Sequence, residues 1–150
     1  MHNMFDHFIL GEQVYTQIVA PVYEKHGLTY TELTVLLFLA NNPSLDTATD
    51  IVRCRNIAKS HVSVSVRALE ERKLIIKEYR NGDHRSVHLS LTEQAKPIVQ
   101  DGRAAQEQFR ELLFDGVSDS EKKVMDGILK KIDQNMADYV KGTEKNNAKR

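Results

Sequence analysis

The chain has 150 residues, 41% apolar and 28% charged, with 21 basic and 21 acidic side chains and one cysteine. This is the composition of an ordinary globular protein that buries a core without staples, which excludes disordered, collagen-like and disulfide-framework classes. Zero net charge hides a division: residues 1–50 carry net −5, residues 53–85 carry +5, and residues 86–150 balance.

The opening MHNMFDHFIL lacks the basic region and cleavage site of a signal peptide. No apolar run has the length needed to cross a bilayer, so a cytoplasmic location is expected. From about residue 4 to 25, Phe5, Phe8, Ile9, Tyr15, Ile18, Val19 and Val22 recur at helical spacing. Pro21 predicts a kink or an early end, and Gly27 a stop. So apolar a helix at residues 1–28 needs a partner to cover it.

Thr29 and Glu32 form a capping box for a helix through Leu33, Leu36, Leu37 and Ala40, which Asn41-Asn42-Pro43 ends. Thr47 and Asp50 form another, for a short helix holding Ile51 and Val52. Asn56 suits its left-handed C-cap. The next helix is expected to start at Ser60 as N-cap, with Val62, Val66 and Leu69 facing a core. Its other face, Lys59, Ser60, His61, Ser63, Val64 and Arg67, is small, polar or basic. Two short helices joined by a tight turn, the second with such a face, suit the major groove of DNA. The basic surplus of the chain sits on this stretch, where phosphates would require it.

Ile75–Arg80 and Ser86–Leu91 read as strands around Asn81-Gly82, a strong hairpin signal. A hairpin directly after a recognition helix is a wing. Arg80, His84 and Arg85 at its tip suit a minor groove, with Asp83 supporting Arg85. Thr92 opens another long helix, with Pro97 tolerated in its first turns. Gly116 breaks that helix. Ser118 and Glu121 cap a last one, with Val124, Ile128, Ile132, Met136, Tyr139 and Val140 at coiled-coil-like spacing. Residues 142–150 read as a frayed, disordered tail. The sequence divides into a dimerisation helix (1–28), a DNA-binding region (29–91) and dimerisation helices (92–141), within one structural domain. The fold class is mainly α with a small β-hairpin wing.

LTYTELTVLLFL, KSHVSVSVRALEERKLI and GDHRSVHLSLTEQA, in this order and with Asp83-His84-Arg85 at the wing tip, resemble the MarR family of winged helix-turn-helix transcriptional regulators. The resemblance covers roughly residues 29–98 by motif. It implies a homodimer built from the N- and C-terminal helices, a palindromic double-stranded operator, and repression relieved by a small phenolic or amphipathic ligand. Arg55 and Ser65 replace usual apolar residues, Lys73 a usual glycine, and Val64 a frequent arginine. Valine can meet a thymine methyl but makes no bidentate guanine contact.

A ligand cavity is expected between the first two helices and the wing region, lined by Phe8, Tyr15, Tyr30 and Phe38. A solid core there would favour an effector-independent or architectural DNA-binding protein. Cys54 lies between Arg53 and Arg55, which would lower a thiol pKa, but a bland cysteine is the more frequent case. The histidines show no metal-ligand spacing, and no cofactor is expected. No phosphate loop, nucleophile elbow or paired carboxylates suggest an enzyme or catalytic residues.

Overall fold

Reciprocal caps decide where the first three helices begin. Asn3 and Asp6 each bond the other's backbone N–H, at 3.1 Å in both directions, and open α1 (Met4–Lys25). Thr29 and Glu32 do the same for α2 (Tyr30–Asn41), and Thr47 and Asp50 for α3 (Ala48–Arg55). Asn56 ends α3 at φ 51° and ψ 37°, the left-handed cap expected of it. Then follow α4 (Lys59–Glu71), β1 (Ile75–Arg80), β2 (Asp83–Leu91), a 3₁₀ turn (Glu93–Ala95), α5 (Lys96–Leu113) and α6 (Asp119–Asn147). This computed structural model describes residues 3–80 and 83–147, without the side chains at 4, 5, 80, 83–85 and 143–147.

Two compact units divide the chain, Met1–Arg110 and Glu111–Arg150. In the first, α2 is the centre. Leu33, Val35, Leu36, Leu37, Phe38 and Leu39 are all buried, so the helix is covered on nearly every side. Val19 and Val22 of α1, Ile51 of α3, Val62, Val66 and Leu69 of α4, Ile75 of β1, Leu89 of β2, and Ile98 and Val99 of α5 join it in the core. Gly102 lets α5 approach: a Cβ there would lie 2.7 Å from Leu37 Cδ2. Each buried large apolar side chain contributes about 1.5–3 kcal/mol, against about 0–1 for a surface ion pair. Burial therefore holds this unit together.

The wing is an antiparallel pair, in register from Ile75↔Leu91 to Glu78↔His88, with an irregularity between Glu78 and Arg80. The Asn81-Gly82 turn lies outside the described residues. In the second unit, Ser118 and Glu121 cap α6 as expected, and Lys122 lies 5.7 Å from the Phe114 ring centroid. Val124, Met125, Ile128, Leu129, Met136 and Tyr139 of α6 are exposed.

Three local expectations change. Helix α4 starts at Lys59, with Ala58 at the cap and no side-chain cap bond, so Ser60 is inside the helix. The turn locked by left-handed Asn56 brings the chain into helical geometry two residues earlier than the serine signal implies. Of the two alternatives at Pro21, the early end does not occur: α1 runs to Lys25, as its apolar spacing predicts, with buried Val19 and Val22 on either side of the proline. Gly27, at φ +62°, is the stop expected of it. Thr92 opens a 3₁₀ turn before α5, and its hydroxyl bonds the carbonyls of Lys73 (2.7 Å) and Leu74 (3.2 Å) instead of capping. Helix α6 continues to Asn147, through much of the stretch expected to fray.

Candidate nucleic-acid interface

The sequence of α4 sorts itself by burial. Val62, Ser65, Val66 and Leu69 are buried, while Lys59, Ser60, His61, Ser63, Val64 and Arg67 are all exposed on the other side. A period of 3.6 residues puts the second set on one surface. Val64, at 69% exposure, is the most exposed large apolar side chain among the described residues of the first unit. Nothing in the core accounts for a valine there.

Several cations of the basic stretch are committed internally. Arg53 pairs with Asp50 at 2.9 Å, and Lys77 with Glu70 at 2.5 Å. Arg72 donates to the carbonyls of Gly27 (2.9 Å) and His26 (2.8 Å), joining the end of α4 to the end of α1. Lys59 and Arg67 have no carboxylate within ion-pair distance among the described residues, and both are exposed. They are the cations that the helix face leaves available. The wing residues Arg80, Asp83, His84 and Arg85 have side chains outside the described set. Their strands place them at the free end of the hairpin, where Arg80 pairs with Asp83 in backbone register.

Of the four residues expected in a cavity, the structure brings two together. Tyr15 and Tyr30 line a cavity of about 390 Å³ with Thr34, Leu37, Arg55 and Phe109. Phe8 is 64% exposed and outside its lining. Phe38 is in the core at 1% exposure, with the Arg55 guanidinium 5.2 Å from its ring centroid. Tyr15 meets Phe109 edge-on at 5.2 Å, and the Gln106 amide donates to the Tyr15 hydroxyl at 3.2 Å. Burial, with Tyr15 adding to it, pushes the Tyr30 hydroxyl above the usual phenol range, so it stays protonated.

Arg55, Gln106 and Phe109 were not foreseen as cavity residues. Gln106 and Phe109 are one helical step apart on α5, but nothing local says that this face meets α1. Arg55 did stand out, as a cation where a core leucine is usual. Cys54 is exposed, and among the described residues no group of His, Cys, Asp and Glu gathers to hold a metal ion. None of the described helices is long and apolar enough to cross a membrane.

The sequence model of the MarR family matches residues 26–86, from the C-cap of α1 into β2. Residues 26–86 are thus similar to the MarR family. The matched segment contains the helix-turn-helix and most of the wing. A MarR family transcriptional regulator from Listeria monocytogenes, solved with a 26mer DNA, is similar at 19% identity and a TM-score of 0.79, covering 92% of this chain and 91% of that one. The MarR of Staphylococcus aureus, solved with salicylate and kanamycin, has 21% identity and a TM-score of 0.70, over 89% and 90%. BpsR of Bordetella bronchiseptica, whose DNA binding is described as regulated by 6-hydroxynicotinic acid, has 22% identity and a TM-score of 0.65, over 87% and 99%. These likenesses bear out the winged-helix fold.

Proposed function

We propose that this chain is a sequence-specific, non-enzymatic regulator of transcription that binds double-stranded DNA as a cytoplasmic homodimer. The observation that carries the reading is the outward face of α4, five polar or basic side chains and one exposed valine opposite a buried inner face of Val62, Ser65, Val66 and Leu69. That face enters the major groove, where Lys59 and Arg67 meet phosphate or guanine and Val64 meets a thymine methyl. At the wing tip Arg80, His84 and Arg85 enter the minor groove, with Asp83 holding Arg85.

Exposed apolar residues of both terminal regions support the dimer: Phe8, Ile9 and Leu10 in α1, and the Val124 to Tyr139 series in α6. A two-fold dimer reads a palindrome with half-sites one helical turn apart. The role is repression, relieved when a small phenolic or amphipathic ligand enters the tyrosine cavity. Its volume of about 390 Å³ lies within the usual range for small-molecule sites, and this favours the effector reading over an effector-independent DNA binder.

Fluorescence anisotropy on DNA from upstream of the gene, against a scrambled duplex at several salt concentrations, tests this. The reading expects tight binding to the first, much weaker binding to the second, and a steep salt slope. No binding to either at low salt contradicts it.

A further inference from the structure

A separate cavity of about 480 Å³ opens where α2, the end of the wing and α5 meet. Ala40, Leu91 and Val99 give it an apolar wall, Thr92 closes one edge, and Lys96 and Arg103 supply positive charge. Lys96, Val99 and Arg103 stand at i, i+3 and i+7 of α5, on one helical face.

Arg103 is fixed in place without being neutralised. Its Nη2 donates to the Ala40 carbonyl at 2.6 Å and its Nε to Asn41 Oδ1 at 3.0 Å, both uncharged acceptors. No carboxylate lies within ion-pair distance of it among the described residues. The last turn of α2 has no basic residue of its own, so this guanidinium also complements the end of that helix, which explains its rigid seat. Lys96 pairs with Glu93 at 2.6 Å. Two cations and one carboxylate leave room for a single negative charge, and a doubly charged phosphate would face Glu93.

This cavity communicates in two directions. Asn41, the acceptor of Arg103, donates through Nδ2 to Gln106 Oε1 at 3.0 Å, and Gln106 donates to the Tyr15 hydroxyl. Four side chains therefore form an unbroken relay from Arg103 to the tyrosine cavity. On the other side, Thr92 bonds the carbonyls of Lys73 and Leu74, just after α4.

We propose that this cavity is a second ligand site, for a small amphipathic carboxylate. The head group sits on Arg103 and Lys96 and the apolar body on Leu91, Val99 and Ala40. Occupancy is sensed at Tyr15 through Asn41 and Gln106. The proposal does not depend on DNA binding.

Sodium octanoate titrated into the ¹⁵N-labelled full chain is the test, with 1-octanol as the uncharged control. Saturable shifts are expected at the amides of Leu91, Thr92, Val99 and Gln100, together with movement of the Tyr15 ring signals. Octanol should bind roughly tenfold more weakly or worse, because the charge-assisted hydrogen bonds are lost. Arg103→Gln should weaken octanoate to a similar degree, and so should Lys96→Gln, which alters a side chain that is 71% exposed. Gln106→Ala should keep the shifts at the new site and abolish those of Tyr15. Shifts confined to Thr34, Leu37 and Phe109, equal affinity for octanol, or unchanged binding in the Arg103 and Lys96 variants would overturn the site. A Tyr15 ring that stays still in the saturated wild type would overturn the relay.

Discussion

The imidazole Nδ1 of His88, in the second wing strand, lies 2.7 Å from the Asp46 carboxylate in the loop that enters α3. Beside this pair, the Leu89 amide donates to the Asp46 carbonyl at 2.7 Å, and Thr47 bridges to His88. The wing is thus joined at its base to the start of the helix-turn-helix. With Thr92 tying the other end of β2 to the residues after α4, the hairpin and α4 are held from two sides.

Breaking the His88–Asp46 pair should therefore loosen the wing base. His88→Leu removes a partner from a carboxylate whose side chain is only 12% exposed. The expected loss is on the order of 1–3 kcal/mol, as for depriving a largely buried polar group of a hydrogen bond. Urea unfolding measures it, and an unchanged midpoint would show that the contact carries no stability.

Lys73 offers the opposite experiment. It stands at φ 58°, in the left-handed region that a Cβ disfavours, where the chain leaves α4 for β1. Lys73→Gly should raise stability by about 1 kcal/mol, since glycine adopts this conformation without steric cost. A destabilised variant would mean that the lysine side chain contributes more than its backbone costs.

These two sites show what was legible in the chain and what was not. Thr29–Glu32, Thr47–Asp50, Asn56 and Gly27 act through neighbours a few residues away, so short spacings were enough to read them. The α4 face was legible for the same reason, since one helical period separates its two surfaces. Ser60 misled because a cap depends on where the preceding turn delivers the chain, and left-handed Asn56 delivers it at Lys59. Phe38 and Phe8 were misassigned to the cavity, as depth in a core and reach beyond it follow from tertiary packing. Asp46–His88 and Arg103–Asn41 join residues 42 and 62 apart. No local pattern announces such pairs.

Acid should expose a third contact. Hydrogen bonds from Lys25 and then His26, at 2.7 and 2.8 Å, hold the Asp101 carboxyl below the usual carboxylate range. A lowered folded-state pKa gives stability that is present above the unfolded value, about 4, and is lost as pH falls through the folded one. Asp101→Asn should thus be less stable than the wild type near neutrality, with the gap closing on acidification below about pH 4. A gap that stays constant with pH would remove the charge from the explanation.

Val64 makes a claim about sequence preference. If it meets a thymine methyl, replacing the contacted dT by deoxyuridine in the operator should weaken wild-type binding, by roughly 1 kcal/mol for one buried methyl. The same replacement should leave Val64→Ala almost unaffected. Equal losses in both proteins would place the methyl elsewhere.

The central claim is that the outward face of α4 is the DNA surface, and acetylation footprinting of the bound protein tests it most directly. Lys59 and Lys131 are both exposed in the free chain. With saturating operator duplex, Lys59 should be acetylated far more slowly than in the free protein, while Lys131, on α6, should react at its free rate. A Lys59 that reacts equally fast with and without bound duplex would contradict the account.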